Sequence, residues 1–319
     1  VVRTTLVVIF VALVIRALQQ DQNLRDQLQR LDVTTFVIGG GLVLIIMMSL
    51  GFFLKVVVDR LADEISLFEA TYTTTLATLA NSVLPFQSGS GVRAVHLKQR
   101  YGLAYSDFVV TLYGNAIIVI LVNGLTALAF LVLPFIDWGP LVAFLFVVLL
   151  GFTVMAISLI SPRLRLDELV LAILARLPGR LAKRVIAQIE AVVRSWKLVT
   201  ADRVLLSRMI LVVVMNLLAR LALFWFLFEA IGIHVRFPAA IILTALTNLT
   251  LFVALTPGAF GIREAILAVY AGSLGITQTD ALSVSLAERA VTFVALITMT
   301  ALFWLTRTLA SGLRRFGER

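Results

Sequence analysis

Cysteine is absent from the 319 residues, which excludes disulfides, thiolate metal sites and cysteine nucleophiles together. Histidine is nearly absent too. His96 and His234 lie 138 positions apart with no second ligand nearby in sequence, so no metal centre is expected. Charge is scarce: 14% of residues are charged, 61% are hydrophobic and the mean hydropathy is +1.03. An ordinary globular domain carries about 25% charge, so a soluble enzyme is excluded. The run Gly39-Gly40-Gly41 has no following lysine and no Rossmann context. It reads as a close helix-packing surface rather than a nucleotide loop. No catalytic constellation, metal site or cofactor motif is found, so an enzyme is not expected.

What the chain has is long apolar runs. About 20 such residues cross a hydrocarbon core as helix, and candidates lie at 4–18, 33–57, 106–135, 140–161, 207–231 and 281–305. The first is not expected to be a cleaved signal, because Gln19-Gln20-Asp21-Gln22 follows it instead of small residues. Ten basic residues lie between Arg163 and Arg208, and Arg307, Arg314, Arg315 and Arg319 follow the last run. Those segments are expected in the cytoplasm. Residues 19–34 and the turn at 136–139, which are poor in excess basic charge, are expected outside. The net charge of +9 is then a topology signal and not a nucleic-acid footprint. Within 162–206, Leu181, Val185, Ile189, Val192 and Trp196 recur at helical spacing among Lys183, Arg184, Arg194 and Lys197. This is the pattern of a helix lying on a membrane surface, read either as a tether between two halves or as a sensor of anionic lipid.

Two apolar segments are broken. Residues 68–84 are rich in threonine and end at Pro85, after which come Gly89, Gly91 and Arg93. The second segment starts at Phe237-Pro238, passes Thr247 and Asn248, and reaches Pro257, Gly258, Gly261 and Arg263. Each continues to a Gly-(Leu/Ile)-x-x-x-Asp element, Gly102 to Asp107 and Gly275 to Asp280. The offset between the copies is 172 at the prolines, 170 at the arginines and 173 at the aspartates. This predicts an all-α integral membrane protein with six full spans and two re-entrant helical hairpins. The eight hydrophobic segments form an inverted repeat with both termini inside. The chain is read as one polytopic membrane domain, 1–319. The first repeat covers 33–135 with a hairpin at 68–100, and a cytoplasmic amphipathic connector covers 162–206. The second repeat covers 207–305 with a hairpin at 237–274.

In each hairpin a proline ends the first half-helix and glycines permit the turn. The next half-helix then starts with unpaired N–H groups beside an arginine, an arrangement suited to a phosphate. The candidate head-group site is therefore Gly89, Gly91 and Arg93 with Gly258, Gly261 and Arg263. The alternative is that the glycines only make the turn and the arginines snorkel to the interface. Arg220, Glu264, Glu288 and Arg289 also fall inside apolar runs. An ionised group at a helix centre costs about 2.5–3.5 kcal/mol, so an intramembrane polar cluster is expected. It serves either transport or structure.

Pro85 to Gly102 with Asp107 resembles a motif of the lysylphosphatidylglycerol synthase transmembrane-region family. The run Thr256-Pro257-Gly258-Ala259-Phe260-Gly261-Ile262-Arg263-Glu264-Ala265 with Glu288-Arg289 downstream resembles it more closely. This is the flippase-like membrane module of multiple peptide resistance factors. The family commonly carries an acidic-arginine pair in the first copy as well, and Asn115-Ala116 stand there in this sequence. Residues 306–319 form a basic tail, so the synthase domain is not expected in the chain. The resemblance implies a flippase of the cell (inner, cytoplasmic) membrane that moves an anionic or aminoacylated phospholipid such as lysylphosphatidylglycerol, or a related polyprenyl or glycolipid. The implied partners are the phospholipid substrate, the bilayer, a lipid-modifying synthase or transferase, and a second copy of the chain, with no nucleic acid. A membrane subunit that presents a lipid-linked substrate to a transferase, and a small-solute transporter, are the alternatives.

Overall fold

The computed structural model describes residues 22–83, 88–132, 139–161, 180–250 and 262–317. Among the described residues there is no strand. The helices are α1 (Gln22–Gln29), α2 (Val33–Leu61), α3 (Leu67–Val83), α4 (Ser88–Tyr101), α5 (Tyr105–Leu131) and α6 (Pro140–Ile160). They continue as α7 (Arg180–Ala201), α8 (Arg203–Ala230), α9 (Phe237–Thr250), α10 (Ile262–Ala271) and α11 (Gln278–Gly317). Of these, α2, α5, α6, α8 and the Gln278–Leu309 part of α11 are long and apolar enough to cross a membrane. They fall on five of the six expected spans. The sixth, at 4–18, lies outside the described residues.

Local chemistry sets the helix starts. Before α2, Asp32 Oδ1 accepts the Thr35 hydroxyl at 2.7 Å and the Thr35 amide at 2.8 Å. The hydroxyl first and the amide second hold this carboxyl below the usual carboxylate range. Pro140 opens α6, where its missing N–H costs nothing. Asp202 Oδ1 accepts the amides of Val204 and Leu205 at 3.0 Å, so α8 begins at Arg203, inside the expected 162–206 connector. The connector helix α7 passes into a span through this one capping residue. Outward faces are apolar. On α6, Phe144, Val147, Leu150 and Val154 are exposed, as befits a helix solvated by acyl chains.

The first expected hairpin is present, and the expected second break falls on residues outside the described set. Near its end, α3 places Asn81 Nδ2 3.2 Å from Ser90 Oγ at the start of α4. Near its beginning it places Glu69 Oε1 3.0 Å from His96 Nε2. The two helices therefore run antiparallel as a hairpin. Helices α9 and α10 likewise pack together on either side of residues 251–261, which are outside the described set.

Helices α2 and α8 form the centre. A Cβ added to Gly39 would lie 3.6 Å from Leu223 and 2.6 Å from Val291, whereas Ile46 O accepts Asn216 Nδ2 at 3.3 Å. As α2 advances, its contacts on α8 recede, so the two run antiparallel. Gly39 is thus the close-packing residue of its run. A Cβ on Gly41 would meet nothing within 4 Å.

Contacts recur between corresponding helices of the two halves. The first hairpin packs on α11 through α3, and the second packs on α5 through α9. Asp107 at the head of α5 accepts Ser195 Oγ of α7 at 2.5 Å. Asp280 at the head of α11 accepts Gln27 Nε2 of α1 at 2.7 Å. Gly102 and Gly275, 173 positions apart, both adopt the left-handed conformation, with φ of 69° and 74°, which only glycine adopts without strain.

Candidate functional site

Each hairpin encloses a cavity against the span that precedes it and the span that follows. The first-half cavity, about 190 Å³, is lined by Leu50, Phe53, Leu54, Thr74, Ala77, Thr78, Asn81, Ser90, Arg93, Thr111, Leu112 and Asn115. The second-half cavity, about 20 Å³, is lined by Arg220, Leu223, Phe224, Thr244, Thr247, Asn248, Arg263 and Glu288. The two linings correspond residue by residue. Leu50, Phe53, Leu54, Thr74, Ala77, Thr78 and Arg93 stand 170 positions before Arg220, Leu223, Phe224, Thr244, Thr247, Asn248 and Arg263. Asn115 stands 173 before Glu288. All eight residues of the smaller cavity thus have a counterpart in the larger one.

Around Arg93 the lining is polar without being acidic. Its Nη1 lies 3.4 Å from Thr74 Oγ1, and its guanidinium sits 5.5 Å from the centre of the Phe108 ring. Nε of Arg93 and Oδ1 of Asn115 are buried without a hydrogen-bond partner. Among the described residues no carboxylate comes within 4 Å of the Arg93 guanidinium. A half-buried cation flanked by hydroxyl and amide groups is suited to binding an anion.

The glycines act differently from the sequence expectation. Because α4 begins at Ser88, Gly89 and Gly91 lie inside the helix and Arg93 sits in its second turn. A Cβ on Gly89 would run into the Ala77 carbonyl and lie 2.9 Å from Ala80 Cβ, whereas one on Gly91 would meet nothing within 4 Å. Gly89 thus allows α4 to pack on α3, whereas Gly91 faces outward, and both lie in the first turn of the helix. Gly258 and Gly261 lie outside the described residues. Arg263 does fall in the first turn of α10.

The charges expected within the membrane pair. Arg263 Nη1 contacts Glu288 Oε2 at 2.7 Å with both side chains over nine-tenths buried, and Arg289 Nε contacts Glu264 Oε1 at 2.7 Å. Ser285 Oγ also donates to Glu264 Oε1 at 2.9 Å. Two adjacent residues of α10 are thus tied to two adjacent residues of α11. Arg220 lines the same cavity but instead donates its Nε to Asn216 Oδ1 at 3.0 Å. Asn216 Nδ2 in turn reaches Ser49 Oγ at 2.6 Å, so a polar chain crosses from α8 to α2.

Several participants are missing from the sequence expectation. Thr74, Thr244, Asn115 as a cavity residue, Asn216 and Ser49 are revealed only by their contacts, although threonine-rich α3 hints at polar lining. His96 has a neighbour after all, because Glu69 is 27 residues away in sequence but opposite it in the hairpin. The buried Glu69 carboxylate also lies 3.6 Å from both Arg100 and Arg307. Among the described residues no group of three or more ligating side chains is placed to hold a metal.

A model of the family described as "Lysylphosphatidylglycerol synthase TM region" matches residues 1–299. No curated protein and no solved structure matches the chain.

Proposed function

Because the chain belongs to the lysylphosphatidylglycerol synthase TM region family, we propose that it is a transporter that carries an anionic or aminoacylated phospholipid, or a related polyprenyl or glycolipid, between the leaflets of the cell membrane. The observation that carries this reading is the corresponding pair of arginine-bearing cavities on either side of an antiparallel crossing. Ile46 and Asn216, which touch at that crossing, hold the same place in the two halves. The cavity residues Leu50 to Leu54 lie four to eight positions beyond Ile46, and Arg220 to Phe224 lie four to eight beyond Asn216. At 1.5 Å per residue that is roughly 6–12 Å along each axis, in opposite directions because the helices are antiparallel. One cavity is then nearer each leaflet.

In this reading the halves form an inverted repeat with six spans, two re-entrant hairpins and both termini inside. Lys55, Arg60, Lys98 and Arg100 around the first hairpin support a cytoplasmic position for it, by the bias of basic residues toward that face. The second hairpin enters from outside. Irregular backbone at membrane depth is tolerated where it packs in protein or lines a wet cavity, and interrupted helices in inverted repeats are a recurrent plan of transporters. The head group passes between the two cavities while the acyl chains stay among the exposed apolar faces. Arg93 and Arg263 receive its phosphate in turn. The sequence carries no nucleotide-binding motif, so movement follows a lipid or ion gradient.

The test is reconstitution into liposomes with fluorescent lysylphosphatidylglycerol and a leaflet-accessibility readout. Exchange between leaflets is expected to be fast with the wild-type protein and slow with Arg93→Ala or Arg263→Ala. Rates that are the same in empty liposomes, wild type and both variants would refute the proposal. Solute uptake without lipid movement would instead identify a small-solute transporter.

A further inference from the structure

The two cavities differ at the positions that set their charge. On the first-half side the pair facing the arginine is Leu50 and Asn115, and on the second-half side it is Arg220 and Glu288. The second half therefore carries one more cation and one more anion than the first, with no difference in net charge. The consequence is geometric. Glu288 occupies the guanidinium of Arg263 at 2.7 Å, and the cavity beside it, about 20 Å³, holds about one water. The first-half cavity is about 190 Å³; Nε is buried without a partner in both Arg93 and Arg263, so the sites differ in the carboxylate on Arg263 Nη1 and in the space beside the arginine.

A carboxylate on a guanidinium makes the same short, charge-assisted contact that a phosphate oxygen makes. We propose that Glu288 is a built-in substitute for the ligand's anionic group, which keeps the second-half site closed, whereas Asn115 leaves the first-half site open to a phosphate-bearing head group. The lipid as the source of that phosphate rests on the transport reading above, but the difference between the sites rests on the two linings alone. An anion reaching Arg263 has to displace the Glu288 carboxylate, which then needs another cation. Arg220 lines the same cavity, and among the described residues no carboxylate lies within 4 Å of its guanidinium. It is placed to receive Glu288 when the ligand arrives, which accounts for both charges appearing in the same half.

The experiment counts bound ligand by native mass spectrometry of the purified full chain. The probes are dioctanoyl phosphatidylglycerol, inorganic phosphate and uncharged dioctanoylglycerol. Wild type is expected to hold one dioctanoyl phosphatidylglycerol, Glu288→Gln two, and Asn115→Glu none at the same concentration. For Asn115→Glu the apparent affinity falls at least about tenfold, the effect of one buried like charge. The double variant Asn115→Glu with Glu288→Asn, which keeps the number of buried charges constant, is expected to bind one again through the second-half site. A bound count that ignores both single substitutions would overturn the proposal. Equal binding of inorganic phosphate would overturn the assignment to a lipid head group, and equal binding of dioctanoylglycerol would overturn an anion site altogether. No leaflet exchange enters this readout. Charge-dependent binding without lipid movement removes the transport reading alone, and lipid movement with charge-independent binding removes the present inference alone.

Discussion

The side-chain amide of Asn216 donates to the backbone carbonyl of Ile46 at 3.3 Å, joining two residues that hold the same position in the two halves, 170 apart. A contact between equivalent positions of antiparallel helices marks the place where an axis relating the halves would pass. Asn216 also donates to Ser49 Oγ at 2.6 Å and accepts Arg220 Nε at 3.0 Å. One buried side chain therefore holds the centre of the molecule and orients a cavity arginine.

Replacing that residue tests its weight. Asn216→Leu keeps the size but leaves the Arg220 Nε without its acceptor, and a buried polar group without a partner costs about 1–3 kcal/mol. A lower midpoint of thermal unfolding in detergent is expected, with Ser49→Ala milder because it removes only one of the contacts. Equal midpoints for wild type and Asn216→Leu would show that the crossing does not depend on it.

The two hairpin arginines are expected to differ in opposite senses. Arg263→Met strands the buried Glu288 carboxylate, and breaking a buried ion pair from one side costs about 3–5 kcal/mol. Arg93→Met strands no carboxylate and removes a half-buried cation that lacks a counter-ion, so unfolding is expected at an unchanged or higher temperature while lipid exchange is lost. Stability given up at a binding residue is the usual mark of a functional site. Equal destabilisation by both substitutions would contradict the pairing.

Glycines in α4 separate in the same way. Gly89→Ala forces a methyl group against the Ala77 carbonyl and Ala80, an overpacking worth about 1–3 kcal/mol. Gly91→Ala adds a methyl to open space on the same helix and is expected to be neutral or slightly stabilising, since alanine suits a helix better. Thermal unfolding of the two variants side by side reads the difference.

The order proline, glycine, arginine, aspartate made the first hairpin and the correspondence of the two segments legible, because each of those residues constrains the backbone locally. The charge pairs of α10 with α11 were legible as a cluster for a related reason: buried charges in apolar runs require partners. Their partners within the cluster, and the route by which Arg220 reaches Asn216, depend on rotamers and helix positions that no local pattern encodes. Gly89 misleads for a physical reason. A glycine near a proline signals a turn, yet here it answers the close approach of α3, a contact made across the hairpin. The correspondence of Thr74 with Thr244 and of Asn115 with Glu288 is present in the numbering, but it acquires meaning only once both members are seen to line cavities.

The absence of cysteine makes the central claim directly measurable by single-cysteine labelling in sealed, oriented membrane vesicles. Ala104 and Gln278 are exposed and stand just beyond the first and second hairpins, at the heads of α5 and α11. With a membrane-impermeant maleimide, Ala104→Cys is expected to react only from the cytoplasmic side and Gln278→Cys only from the opposite side. Reaction of both from the same side would contradict oppositely inserted hairpins, and with them the two-cavity account of lipid movement.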